Sequence, residues 1–118
     1  MRYMLLIYGV EADSATMTRE EWDSMMRGHS VFANEALARG ILVGGAPLQP
    51  TRTATTVRVR KGKILITDGP FAETKEQLAG TYILNCRDLE EAIELATKIP
   101  DVSTGSIEIR PIMEFNPI

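Results

Sequence analysis

The chain is poor in the residues that build many kinds of site. It has one cysteine, Cys86, in 118 residues, so no intrachain disulfide can form. That usage fits a reducing compartment. It has one histidine, His29, and without a second histidine or a cysteine pair a tetrahedral zinc site lacks its usual ligands. No metal is expected. Basic residues number 13 against 16 acidic ones, a net charge of −3. A chain with that balance is not expected to bind nucleic acid directly. Its one basic cluster, Arg58, Arg60, Lys61 and Lys63, carries no interleaved aromatics and reads as a solvated hairpin tip. The apolar run at residues 4–7 is far too short for a signal sequence or a membrane span. A soluble cytoplasmic protein with no membrane partner is expected. Gly44-Gly45 matches neither a phosphate loop nor a dinucleotide fingerprint, and no cofactor is expected.

What is present suits one domain over residues 1–118. A chain of this length buries roughly two-thirds of the surface it exposes when unfolded, and 44% hydrophobic residues can fill a core. Residues 2–8 are apolar and aromatic, as in a buried strand. Residues 9–17 read as a loop. Thr18-Arg19-Glu20-Glu21 is a capping box, and Trp22, Met25, Met26, His29, Phe32, Ala33, Ala36 and Leu37 then recur at helical spacing up to Arg39-Gly40. Gly28 inside that helix costs about 1 kcal/mol relative to alanine. Residues 41–43 form a short strand. Residues 55–60 and 63–67 alternate around Lys61-Gly62 as a hairpin. A strand at 81–86 precedes a second capping box, Asp88 to Glu91. Leu89, Ala92, Ile93, Ala96 and Ile99 follow as a helical stripe, and a last strand spans 106–112.

With the hairpin set aside, the order is β-α-β, β-α-β. That is the split βαβ, ferredoxin-like plan of the α+β class, with an inserted β-hairpin. Both helices have one apolar face and should cover the same side of one sheet. Strand one is apolar on both of its sides, so the other sheet face needs a cover too. A second copy related by two-fold symmetry is the simplest cover, and a homodimer is expected.

The run Thr67-Asp68-Gly69-Pro70-Phe71-Ala72-Glu73-Thr74-Lys75-Glu76 is too polar and too punctuated to be core. Pro70 fixes its own φ and biases Gly69 toward an extended backbone. Asp68 thereby sits at a strand end before a stiff turn. Together with Met1-Arg2-Tyr3-Met4-Leu5-Leu6-Ile7-Tyr8, Thr55-Thr56-Val57-Arg58-Val59, Gly80-Thr81-Tyr82 and the stretch from Ser106 to Phe115, this run resembles the YCII-related family, in its Asp-Gly-Pro-Phe branch. The resemblance runs essentially end to end. It implies a dimeric α+β barrel. It also implies an acid–base pair of a helix-one histidine and an aspartate, here His29 and Asp68. Broader relatives act on small cyclic or chlorinated organic molecules, and some members occur alongside alternative sigma factors.

The individual residues carry two readings each. His29 lies within an apolar helical stripe, where a satisfied structural histidine is the ordinary finding. It is also the one side chain that titrates near neutrality unperturbed. Asp68 is either a turn former or a site carboxylate. Arg110, with Glu108, lies opposite Ile107 and Ile109, as an anion-binding group or an ion-pair partner. Tyr8 and Phe71 are placed at a cleft rim, to orient a ligand or to fill space. Two functions follow. One is a cofactor-independent acid–base enzyme, of lyase or isomerase type, using His29 and Asp68 on a small molecule. The other is a non-catalytic homodimer that binds a small molecule or a protein and is linked to transcription regulation.

Overall fold

The computed structural model describes residues 1–115. Its centre is strand β1, Arg2–Gly9, whose alternation puts Tyr3, Leu5 and Ile7 in the core and leaves Met4, Leu6 and Tyr8 half-buried on the other face. β1 pairs antiparallel with β5, Gln77–Asn85, and on its other side with β6, Ser106–Pro111. β2, Leu42–Pro47, lies outside β5, so the sheet order is β2-β5-β1-β6. Two helices, α2 (Arg19–Ala38) and α3 (Leu89–Ala96), bury Phe32, Ala36, Ala92 and Leu95 in the same cluster as Tyr3 and Leu5. The result is an α+β, ferredoxin-like arrangement with both helices on one sheet face, as the pattern of apolar residues implies.

The helix ends follow local rules. Thr18 Oγ1 accepts from the Glu21 amide at 3.1 Å, and Glu21 Oε1 accepts from the Thr18 amide at 3.2 Å, a complete capping box. At the other end Gly40 has φ +70°. Its amide donates to Leu37 O and the Ile41 amide donates to Ala36 O, both bonds of a Schellman motif. The second box is offset by one residue. Asp88 caps the Glu91 amide at 2.9 Å, but the Glu91 carboxylate accepts from the Arg87 amide rather than from Asp88. Buried Glu91 also pairs with Arg39 at 3.3 Å, which ties the end of α2 to α3.

Several local features differ from the sequence expectation. A short helix α1, Glu11–Ala15, occupies the expected loop. β2 continues through Gly44-Gly45 to Pro47, and β5 starts at Gln77 instead of residue 81, because both strands extend to pair with each other. In α3 the buried stripe is Ala92, Leu95 and Ala96, while Leu89 and Ile93 are exposed. Gly69 takes φ +95°, a value open to glycine at no steric cost, rather than an ordinary extended one.

β3 (Thr55–Arg60) and β4 (Lys63–Asp68) form a separate two-stranded sheet, turned by Lys61 at φ 51° and Gly62 at φ 76°. Positive φ at both central residues matches the twist of a tight hairpin. Its register places Val57 opposite Ile66 and Val59 opposite Ile64, and all four side chains are exposed. Cross-strand apolar pairs of this kind normally pack on something.

Candidate functional site

Trp22, Met25, Met26 and His29 form the apolar stripe in the first half of α2, and they do not enter the core. They wall a cavity of about 390 Å³, which falls within the usual range for small-molecule sites. Ile7 and Tyr82 line it from the sheet, and the segment from Gly45 to Pro50 lines it from the end of β2. Glu11 of α1 closes one side. Its two carboxylate oxygens accept from the Thr51 amide and from Thr51 Oγ1, both at 2.7 Å, and its own amide donates to Gln77 Oε1 at 3.0 Å. These bonds hold α1 to the 3-10 turn Thr51–Thr53 and to the start of β5.

His29 is bonded at both ring nitrogens. Nε2 lies 2.7 Å from Asp101 Oδ1, and Nδ1 lies 2.8 Å from the Tyr82 hydroxyl. A carboxylate can only accept, so Nε2 carries the proton toward Asp101. In the neutral ring Nδ1 is then the acceptor, and Tyr82 donates to it. The three groups make one oriented chain, from Tyr82 O–H to His29 to Asp101. Both acidic ends of the chain line the cavity with the imidazole. His29 and Asp101 side chains are about four-fifths buried, at 20% and 18% relative exposure, which limits competition from water.

Each partner is fixed by its element. Tyr82 sits in the second strand from the edge, paired with Leu5 on one side and Gly45 on the other. Its ring packs on buried Phe32 at a centroid distance of 4.8 Å, and Phe32 lies one helical turn beyond His29. Asp101 belongs to the 3-10 turn Pro100–Ser103, which buried Ile99 anchors. That turn reaches the helix at Gly28, where an added Cβ would stand 2.5 Å from Pro100 Cγ. The glycine read from sequence as a helix defect is the gap that admits the Asp101 turn. Burial raises the Tyr82 pKa above the ordinary tyrosine value, and the Asp101 charge adds to the shift. The hydroxyl therefore stays protonated at neutral pH.

Of the residues expected at a site, only His29 lines this cavity. Asp68 is exposed at the end of β4, opposite Thr55, and His29 takes its carboxylate from Asp101. Phe71 is 78% exposed. Tyr8 lies on the sheet face away from the helices, between Leu78 and Ser106. Arg110 lies on that same face and pairs with Glu108 of its own strand. Asp101 and Tyr82 escape notice in the sequence because one follows a helix stop and the other lies mid-strand. The signal for Asp101 is a glycine directly before the lone histidine, which marks a close approach by another segment. Among the described residues, no group of three or more His, Cys, Asp or Glu side chains is placed to hold a metal ion. No helix among them is long and apolar enough to cross a membrane.

The chain is 39% identical to an uncharacterised protein of Rhizobium meliloti (strain 1021), over 99% of this chain and 96% of that one. The model of the YCII-related domain matches residues 1–116, nearly the whole length, and so the chain belongs to the YCII-related domain family.

Proposed function

We propose that the cavity is an acid–base site for a small organic molecule and that it works without a cofactor. The observation that carries this reading is the Tyr82–His29–Asp101 chain lining a partly open, largely apolar cavity. Both imidazole nitrogens are occupied, so the atom that meets the substrate is the Tyr82 oxygen, which still has a free lone pair. A proton leaving a substrate carbon or hydroxyl would pass to that oxygen as the phenolic proton passes to His29 Nδ1. The imidazolium so formed is paired with Asp101 across the 2.7 Å contact. In the return step Nδ1 gives the proton back, and the phenol protonates the product at a second position. Proton transfer, isomerisation and elimination all fit this cycle. Asp101 acts as a positioning residue that selects the tautomer and stabilises the imidazolium.

The same proposal places the protein in the Asp-Gly-Pro-Phe branch of its family, on the run from Thr67 to Glu76. It also gives the protein a two-fold partner of the dimeric barrel type. Met4, Leu6 and Ile83 on the helix-free sheet face support this, as does the exposed apolar face of the hairpin. A second reading, a binding module without chemistry, is favoured by one observation. A histidine bonded at both nitrogens is also a fully satisfied structural residue.

Deuterium exchange at the carbon next to the carbonyl separates the two readings. A panel of small ketones, lactones and keto acids in D2O, followed by NMR, should include members that the protein exchanges roughly 10²- to 10⁴-fold faster than His29→Asn or Tyr82→Phe does. Equal rates for the protein and both variants across the panel would leave only the binding reading.

A further inference from the structure

We infer that this cavity selects uncharged molecules and rejects carboxylates and phosphates. The inference rests on the acid–base reading only for the position of the site, and it concerns what the walls can solvate. The described residues lining the cavity include two carboxylates, Glu11 and Asp101, and no arginine or lysine. The rest of the lining is largely apolar, with Trp22, Met25, Met26 and Ile7, and its other polar side chains, such as Ser14, Gln49 and Tyr82, are uncharged donors that cannot neutralise an anion.

An anion settling in this space gives up part of its hydration and meets no arginine or lysine. Burying an unpaired charge is among the costliest events in a protein interior. The carboxylates add repulsion, which grows as the ligand displaces water. The cations nearest in role are already placed elsewhere. Arg110 pairs with Glu108 on the opposite sheet face, and Arg39 is bonded to Glu35, Glu91 and Glu94 at the far end of α2. Arg52 is absent from the cavity lining and lines a more open hollow beside it, with which the cavity shares Glu11, Ser14, Trp22 and Pro50.

A neutral molecule meets a different surface. An aromatic or alicyclic body can stack on Trp22 and the two methionines, whose thioethers adapt to irregular shapes. A single carbonyl or hydroxyl on it can reach the Tyr82 hydroxyl. The class is therefore a neutral ring compound with one polar group, such as a ketone, lactone, amide or alcohol.

The chain holds one tryptophan and one histidine, and both line the cavity, so each is an unambiguous reporter. The test titrates the protein at pH 7 with benzamide and with benzoate, two rings of nearly equal shape that differ in charge. Binding is read from Trp22 fluorescence and from the His29 ring protons by NMR. Benzamide should bind at least tenfold more tightly, about 1.4 kcal/mol. Glu11→Gln should narrow that ratio, and Met26→Lys should reverse it. Benzoate binding as tightly as benzamide, or neither ligand moving either reporter at millimolar concentration, would overturn the inference. The same titrations on His29→Asn, read by Trp22 alone, keep the two proposals apart. A preserved preference for benzamide with no deuterium exchange in the intact protein would sink the chemistry and leave the ligand class standing.

Discussion

Gly28 and Pro100 are in contact across the helix surface, with room for a hydrogen but not for a methyl group. A Cβ on Gly28 would stand 2.5 Å from Pro100 Cγ. Each residue directly precedes a member of the site, His29 or Asp101, so the close approach at Gly28 brings Asp101 within reach of the His29 ring. Glycine-to-alanine inside a helix normally stabilises by about 1 kcal/mol. Here the overpacking cost, about 1–3 kcal/mol, opposes it. Gly28→Ala should be neutral to destabilising by about 2 kcal/mol in urea unfolding, and it should lengthen the His29–Asp101 contact. The readout of positioning is the ¹⁵N tautomer signature of His29, which should move toward that of Asp101→Asn. A variant stabilised by the full helix-propensity gain, with an unchanged His29 ¹⁵N signature, would show that the contact is not restrictive.

Tyr82 carries a pH prediction with a definite sign. Its pKa is raised above about 10 by burial first and by the Asp101 charge second. The neutral phenol is thus favoured in the folded state. Its contribution to stability is complete below the unfolded value and is lost as pH rises through the folded one. Ultraviolet titration of tyrosinate should show one of the three tyrosines ionising late, and Tyr82→Phe should remove that step. Asp101→Asn should lower it only in part, since burial remains. A late step that survives Tyr82→Phe would contradict the assignment.

The hairpin bears on assembly. Val57, Val59, Ile64 and Ile66 are 58–70% exposed on one face of β3–β4. A homodimer that covers the helix-free sheet face or this arm should bury at least about 1,200 Å². Sedimentation at micromolar concentration should give a dimer, and Val59→Asp combined with Ile66→Asp should weaken it or abolish it. A monomeric parent protein would refute the proposed assembly. A dimer untouched by the double substitution would move the interface to the sheet face alone.

Much of the fold was legible because it rests on periodicity. The alternation of β1, the Thr18–Glu21 box and the Gly40 stop are local signals, and the structure repeats them. The site was less legible for two physical reasons. An apolar helical stripe looks the same whether it faces a core or an empty cavity, so Trp22, Met25 and Met26 read as core residues. The partner of His29 lies 72 positions away, and nothing local to Asp101 distinguishes it from a solvated loop carboxylate. Asp68, which sits in the most conspicuous run of the chain, lies on an exposed strand end. The expected pairing with His29 gave weight to a conspicuous turn, whereas the contact depends on a missing side chain at Gly28.

The most direct measurement of the account is the ¹⁵N spectrum of His29 in histidine-labelled protein, where the lone histidine gives one residue's signals. The neutral ring should be the Nε2–H tautomer, with Nδ1 unprotonated and accepting from Tyr82. Tyr82→Phe should shift the Nδ1 resonance, and Asp101→Asn should relax the tautomer preference. An Nδ1–H ring in the intact protein, or a freely averaging one that ignores both substitutions, would contradict the oriented Tyr82–His29–Asp101 chain on which the proposed chemistry depends.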